Sequence, residues 1–368
     1  MAYMTIQSAS RKWNISERRI QVLCSEGRLP GAIKFGRQWA IPEGESKPVD
    51  ARVKSGKYIR QSSDNVTPDL FRTIDLFCGC GGMSLGFQNA GFHIISAYDK
   101  WAPAIKVYAA NFKHPVYEKD LSERTVQNDI ILQKPSVIIG GPPCQDFSTA
   151  GLMDEGLGRA ELSIAFSNIV SASLPWFFVM ENVAAARKSN AYKKAIENYR
   201  QAGYGLTQIL LDASYCGVPQ TRKRFFVIGE LGGKDDFLTN RLKAHLADKP
   251  MTIHDYLGDT LGVEYYFRIP TNYNRRGVYS IYEPSQTIRA IDRPIPKGYK
   301  KHKDDPVEIG PKVRALTIKE RSYIQTFPDN FRFEGTKTDQ NTMIGNAVPV
   351  NLAKYVADTL MAYIQEKG

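Results

Sequence analysis

Two prolines and a cysteine, Pro142-Pro143-Cys144, close an apolar run, SVIIGG, that reads as a strand. A cysteine in a proline-stiffened loop at the ligand-binding edge of a sheet is placed to act as a nucleophile. A lone cysteine after a strand is also a common structural residue, so its neighbours decide. The next apolar run, FFVMEN, delivers Glu181 and Asn182 to the same edge, and a carboxylate that closes an apolar strand needs a polar site rather than the core. Further on, QTRKRFFVIG sets Gln220, Arg222 and Arg224 on one side of an extended segment, by the two-residue alternation of a strand. A solvated basic turn is the alternative for these arginines.

A second group of residues suits an adenosine-containing ligand. The first strand of the main block runs into DLFCGCGGMSLGF, a glycine-rich turn that lets backbone approach a ligand at the carboxyl edge of a sheet. Ser84 breaks the dinucleotide spacing G-x-G-x-x-G, which takes weight from nicotinamide chemistry. Asp99 ends the next strand, 20 residues after Gly79, where a carboxylate can grip ribose hydroxyls. Asp120 ends a third strand candidate, within reach of an adenine amino group. Close helix–strand packing accounts for a glycine turn equally well; the two aspartates favour the ligand.

The elements that must hold these residues follow from Arg72 onward. TIDLF, FHIISAYD, SVIIGG, WFFVMEN and RFFVIGEL read as strands, and SLGFQNAG, APAIKVYAANF, ELSIAFSNIVSAS and AYKKAIENYRQAG as helices. Such alternation predicts an α/β domain, a Rossmann-like parallel sheet with helices on both faces. Residues 72–232 form this core, 233–313 a Tyr/Arg/Pro-rich variable region, and 314–368 return to helix and complete the core. Residues 59–71 read as a linker.

The net charge is +11, and residues 1–60 hold 12 Lys/Arg against 5 Asp/Glu, so seven of those charges sit in the first sixth of the chain. That concentration points to a polyanion, most simply nucleic acid. Residues 1–58 read as a small module: a helix capped by Thr5 through Trp13, a turn, a second helix capped by Ser16, and a basic hairpin, AIKF to QWAIP. Ile20, Leu23 and Cys24 share the inner face of the second helix, leaving Arg18 and Arg19 to face DNA. No apolar stretch approaches a membrane span and no secretory leader is read, so a cytoplasmic, nucleoid-associated protein without membrane contact is expected. Five cysteines without pairing spacing and five scattered histidines predict neither disulfides nor a metal site.

DLFCGCGGMSLGF, GPPCQDFS, ENV, QTRKRFFVIG, RALTIKERSYIQTFPDNF and MIGNAVPVNLA, in that order, resemble six motifs of the DNA cytosine-5 methyltransferase family. The N-terminal module resembles winged MerR/excisionase-type helix-turn-helix domains, most closely over residues 36–42. The first resemblance implies S-adenosyl-L-methionine as cofactor, S-adenosyl-L-homocysteine as product and double-stranded DNA as substrate. It makes Cys144 the nucleophile that adds to carbon 6 of a flipped cytosine, and Glu181 the acid on ring nitrogen 3. Arg224, helped by Arg222 with Gln220 on the same segment, then holds the base oxygen and lowers the cysteine pKa. The cofactor pocket takes Phe77, Gly79, Gly81, Gly82, Asp99, Lys100, Asp120, Leu121, Pro142, Asn346 and Val348, with Lys100 where the family often has an aromatic. Ser148 and Arg159 fall in the resembled mobile catalytic loop, and Thr287 in a threonine dipeptide that presses on the DNA backbone. Arg275, Arg276 and Arg289 can read guanine edges or hold phosphates. A restriction–modification context implies a cognate endonuclease; the target sequence and the oligomeric state are not readable. The competing readings are tRNA methylation, transcriptional regulation of its own operon, and a Rossmann oxidoreductase.

Overall fold

The computed structural model describes residues 3–13, 15–25, 29, 32–35, 38–42, 71–143, 160–270, 275–291 and 293–367. The chain divides into two compact units, Met1–Ser63 and Asp64–Gly368.

In the first unit, β1 (Tyr3–Thr5), α1 (Ile6–Trp13), α2 (Glu17–Ser25), β2 (Ile33–Phe35) and β3 (Gln38–Pro42) follow one another. The Thr5 hydroxyl accepts the Ser8 backbone N–H at 3.2 Å, the capping bond that starts α1. Ala9, Trp13, Ile20, Leu23, Cys24 and Ile41 close a small core. Arg18 is exposed, and the Arg19 side chain lies outside the described residues. The two helices and the β2–β3 hairpin fall where the sequence places them; β1 is an addition, pairing antiparallel with β3 to give the order β1-β3-β2.

The second unit is built on a seven-stranded sheet. Its elements are β4 (Arg72–Leu76), α3 (Gly82–Asn89), β5 (His93–Asp99), α4 (Ala102–Asn111), β6 (Val116–Glu118), α5 (Arg124–Leu132), β7 (Val137–Gly140), α6 (Ala160–Ser173), β8 (Phe177–Asn182), α7 (Asn190–Gln201), β9 (Tyr204–Asp212), β10 (Gln220–Thr221) and β11 (Lys223–Leu231). The strand order is β6-β5-β4-β7-β8-β11-β9. β4 to β8 are parallel, and their near-continuous Val, Ile and Phe content fits strands covered on both faces. β11 runs antiparallel to both β8 and β9, so the sheet is mixed where the alternation predicts a parallel one. The reason is local: β9 and β11 form a two-stranded antiparallel pair, and β9 is absent from the strands read off the sequence. Chain order reverses at β4, with β5 and β6 to one side and β7 and β8 to the other, which opens the crevice where such sheets bind ligands.

Beyond the sheet lie α8 (Thr239–Ala244), α9 (Ile253–Leu257), β12 (Tyr265–Phe267), β13 (Val278–Ser280), β14 (Ser285–Gln286), β15 (Val313–Ala315), α10 (Ile318–Ile324), α11 (Lys337–Asn346) and α12 (Val350–Lys367). Capping boxes, Thr317 with Glu320 and Thr336 with Asp339, start α10 and α11. β12 joins β13 and β15 in a small separate sheet, so the variable region is sewn to the C-terminal segment. The long α12 lies against α3, where a Cβ at Gly86 would collide with Ala353 and the Val350 carbonyl. No helix among the described residues is long and apolar enough to cross a membrane.

Candidate active site

The glycine-rich turn between β4 and α3 is held in an unusual backbone path. Phe77 has φ +60°, a costly conformation for a residue with a Cβ, followed by Gly79 at +52° and Gly81 at +97°. The Gly79 N–H donates to Asp99 Oδ2 at 2.8 Å, and the Trp101 N–H to Oδ1 at 2.9 Å. Asp99 therefore braces the turn; an ionised carboxylate has lone pairs left for a ligand hydroxyl. A Cβ at Gly79 would meet nothing, so open space lies over the turn, as a cofactor cradle requires. At Gly81 it would strike Phe112, and at Gly82 the Val348 carbonyl. The Cα of Gly82 thus packs directly on the backbone at Val348, at the base of the turn.

Asp120 Oδ1 accepts from the Ser122 N–H at 2.9 Å and its hydroxyl at 2.7 Å, and Lys100 Nζ stands 3.5 Å from Oδ2. The Ser122 bonds, ahead of the lysine, hold the Asp120 carboxyl below its ordinary range. Lys100 thus ties β5 to the loop after β6 with its charge. Leu121 is buried with Phe77 packed against the same cluster. Asn346 ends α11 exposed, and Val348 is buried where α11 passes to α12.

On the other side of β4, β7 and β8 run parallel with Gly140 beside Met180. That register brings the loop after β7 and the Glu181 carboxyl to one sheet edge. Pro142 is pinned there, its carbonyl accepting from Asn182 Nδ2 at 3.1 Å. Gly141 lies so close that a Cβ on it would stand 3.2 Å from Glu181 Oε2. Arg224 Nε meets Glu181 Oε1 at 2.9 Å. Glu181 is buried and Arg224 partly so: burial raises the Glu181 carboxyl against the pull of Arg224 and Arg222, and burial lowers Arg224 against the pull of Glu181. A carboxyl raised by burial and held by a single arginine is placed to act as an acid catalyst. Cys144, Ser148 and Arg159 lie outside the described residues.

Arg222 departs from the expected role. It is 1% exposed, and its guanidinium donates to the carbonyls of Ile288, Gly345 and Ala347, each at 3.0 Å. The alternation of residues 220–224 holds, with 220 and 222 buried and 221 and 223 exposed, but the inward arginine grips backbone instead of standing beside Arg224 on the carboxylate. Gln220 is likewise buried, accepting from the Ile288 N–H and donating to Gln325, both at 2.8 Å. Gln325 lies within the motif-like stretch 314–331, where nothing local distinguishes it from its neighbours.

In the variable region Thr287 donates to the Thr221 carbonyl at 2.8 Å, and β14 pairs parallel with β10. Arg289 donates to the Ile269 carbonyl at 2.6 Å. Arg276 is committed to Glu283 and stacks over Tyr279, so its charge is largely spent, whereas Arg275 is exposed. Asp305, 5% exposed, accepts the backbone N–H groups of Gly277, Val278 and His302 and the Tyr299 hydroxyl. It anchors the loop on which Lys297, Lys300, Lys301 and Lys303 are exposed, another residue that only long-range contacts reveal.

Two expected results arise here. Cys24, Cys78, Cys80 and Cys216 are all buried, and burial raises each thiol, Cys80 and Cys216 to about 12. Brief alkylation of the native protein is therefore expected to modify one thiol per chain, at Cys144, seen by peptide mass mapping; labelling spread over Cys78 or Cys80 would contradict it. Second, Asp75 accepts from Ser84 at 2.6 Å in a buried chain, Ser84 to Tyr108 at 2.6 Å and Tyr108 to His114 at 2.7 Å. Burial pushes Asp75 up to about 7, so the unfolded chain binds fewer protons at this site between pH 4 and 7 and stability there falls with rising pH. Burial lowers His114 to about 4, which acts oppositely between pH 4 and about 6.5, so variant and parent must be compared. Asp75→Asn is expected to gain a few kcal/mol relative to parent between pH 4 and 8 in denaturant titrations. A constant difference across that range would refute the assignment.

A family model described as C-5 cytosine-specific DNA methylase matches residues 71–362. The chain is 54% identical over 298 residues to Type II methyltransferase M.HindV of Haemophilus influenzae, covering 80% of this chain and 98% of that protein. It is 52% identical over 296 residues to Type II methyltransferase M.HgiDI of Herpetosiphon aurantiacus, covering 80% and 96%. Among solved structures, a putative DNA modification methyltransferase encoded within an E. coli prophage superposes with a TM-score of 0.58 at 23% identity, over 80% of this chain and 99% of that one. The S. pombe Dnmt2 methyltransferase gives 0.60 at 17% identity, over 80% and 99%. The last two speak for the fold of the second unit.

Proposed function

The chain belongs to the C-5 cytosine-specific DNA methylase family and is a DNA cytosine-5 methyltransferase, and from that premise we propose that Cys144, Glu181 and Arg224 carry the reaction on a cytosine flipped out of duplex DNA. The observation that carries the assignment is the buried Glu181–Arg224 pair at the edge where the Cys144 loop begins. Carbon 5 of cytosine is a poor nucleophile. Attack of the Cys144 thiolate on carbon 6 makes carbon 5 enamine-like. Glu181, whose carboxyl burial raises, donates a proton to ring nitrogen 3 and accepts from the exocyclic amine, drawing charge out of the ring. Arg224 orients Glu181 and donates to the base oxygen. Bound S-adenosylmethionine supplies the activated methyl group. Loss of the carbon 5 proton to water, expulsion of the Cys144 thiolate and return of the nitrogen 3 proton to Glu181 then restore the ring. Unstacking the base costs a few kcal/mol, offset by contacts within the site.

The cofactor reading rests on fit. The open turn at Gly79, the brace at Asp99 and the carboxylate at Asp120 suit an adenosine with a ribose; Phe77, Gly81, Gly82, Lys100, Leu121, Pro142, Asn346 and Val348 are proposed to complete the pocket. Thr287, Arg275, Arg289 and the exposed lysines of residues 297–303 are proposed DNA contacts, joined by Ser148 and Arg159 from the catalytic loop. Similarity to Type II methyltransferases supports a modification enzyme of a restriction–modification system; its action in the cytoplasm beside a cognate endonuclease is part of the proposal. The N-terminal unit, two helices with a basic hairpin, is proposed as a helix-turn-helix DNA-binding domain. Arg18→Glu should weaken binding to duplexes of any sequence about tenfold near physiological salt and make the salt dependence shallower. Unchanged affinity and slope would remove that role.

The direct test is methyl transfer. Purified protein with tritiated S-adenosylmethionine and mixed-sequence duplex DNA should place label on carbon 5 of cytosine within one short recurring sequence, located by bisulfite conversion. Label on structured RNA instead of DNA would overturn the substrate.

A further inference from the structure

Arg222, Gln220 and Gln325 lie off the reacting atoms, yet they are among the most buried polar side chains of the second unit. Their bonds converge on two segments distant in sequence. One is the variable-region segment 285–290: Arg222 and Gln220 grip the carbonyl and the N–H of Ile288, and Thr287 holds Thr221. The other is the end of α11 with the turn that follows it. Arg222 donates there to Gly345 and Ala347, and Gln325 donates to Ile344 and, at 3.2 Å, to Ala347. The Val350 N–H donates back to the Gln325 carbonyl at 3.1 Å.

The two segments also touch directly. A Cβ at Gly345 would collide with the backbone of Arg289 and Ala290, and one at Gly82 with the Val348 carbonyl. Residues 345–348, the end of α11 and the turn after it, are therefore wedged between the base of the cofactor cradle and the segment that presents Thr287 and Arg289. A close-packed wedge passes displacement on rather than absorbing it. A buried guanidinium spending itself on carbonyls is a costly way to make only a packing contact, because its desolvation must be offset bond by bond.

We propose that Arg222, Gln220 and Gln325 form a buried tie through which an occupied cofactor pocket fixes the DNA-facing segment 285–290, so that cofactor and DNA strengthen each other's binding. They are positioning residues. The proposal rests on the cofactor reading above and deepens it. Coupling of this kind is reciprocal and typically amounts to 5- to 150-fold in affinity.

The test compares DNA affinity with and without S-adenosylhomocysteine, by fluorescence anisotropy on a duplex carrying the sequence the enzyme methylates. The parent is expected to bind about tenfold tighter with S-adenosylhomocysteine, and Gln325→Met and Arg222→Lys to bring that ratio within about twofold of one. A merely structural role would weaken both affinities and leave the ratio unchanged, which would overturn the proposal, as would a parent ratio of one. Hydrogen exchange on the parent covers the case in which the variants fail to fold. S-adenosylhomocysteine alone should slow exchange of the amides of residues 285–290, and unchanged exchange there would overturn the tie. If the parent transfers no methyl group to DNA, the functional reading itself falls; the exchange measurement needs no turnover and tells the two failures apart.

Discussion

Cys144→Ala is expected to lower methyl transfer to duplex DNA by about 10,000-fold or more, with affinity for DNA and S-adenosylhomocysteine changed little. The size follows from the chemistry: without a nucleophile at carbon 6, carbon 5 keeps its aromatic reluctance, and no other group in the site can replace the sulfur. The cysteines among the described residues are buried with raised thiols, so none can substitute. Single-turnover transfer of tritium with saturating cofactor is the measurement. Residual activity within a hundredfold of the parent would mean that another group makes the adduct, or that no adduct is needed.

Glu181→Gln is expected to lower kcat by about 100- to 10,000-fold, the range for loss of a positioned acid. Glutamine keeps the size and leaves the Arg224 guanidinium without its buried counter-charge, so Arg224 should lose its orientation as well. The pH dependence separates the two effects. Burial raises the Glu181 carboxyl, so its protonated form persists to higher pH than an exposed glutamate would allow. Activity that requires the proton falls as pH rises through that raised value, giving the parent a descending limb that Glu181→Gln should lack. A variant keeping that limb would place the titration elsewhere.

Much of this site is legible in the chain because it is carried by short-range patterns. The apolar runs of β4, β5, β7 and β8 are too continuous for amphipathic helices, and residues at the carboxyl ends of these parallel strands must meet at one sheet edge. The 20-residue offset from Gly79 marks Asp99 as a candidate for gripping ribose hydroxyls; its bond to the loop, with the Gly79 N–H donating at 2.8 Å, is an addition from the structure. What escapes is what depends on contacts between distant segments. The two-residue alternation puts Arg222 on the same side as Arg224, but its partners come from Ile288, Gly345 and Ala347, 66 to 125 positions away. Gln325 and Asp305 are invisible for the same reason. The direction of β11 escapes too, since a strand reads alike from either end until β9 is recognised as its neighbour.

The most direct test of the account replaces hydrogen by fluorine at carbon 5 of the target cytosine. Fluorine cannot leave as a cation, so the adduct cannot eliminate and should accumulate once the methyl group has moved. Digestion and mass spectrometry of the trapped complex are predicted to find the modified nucleotide, one methyl group heavier, bonded to Cys144. No covalent complex under conditions that methylate ordinary DNA, or an adduct on any other residue, would contradict the assignment of Cys144 as the nucleophile.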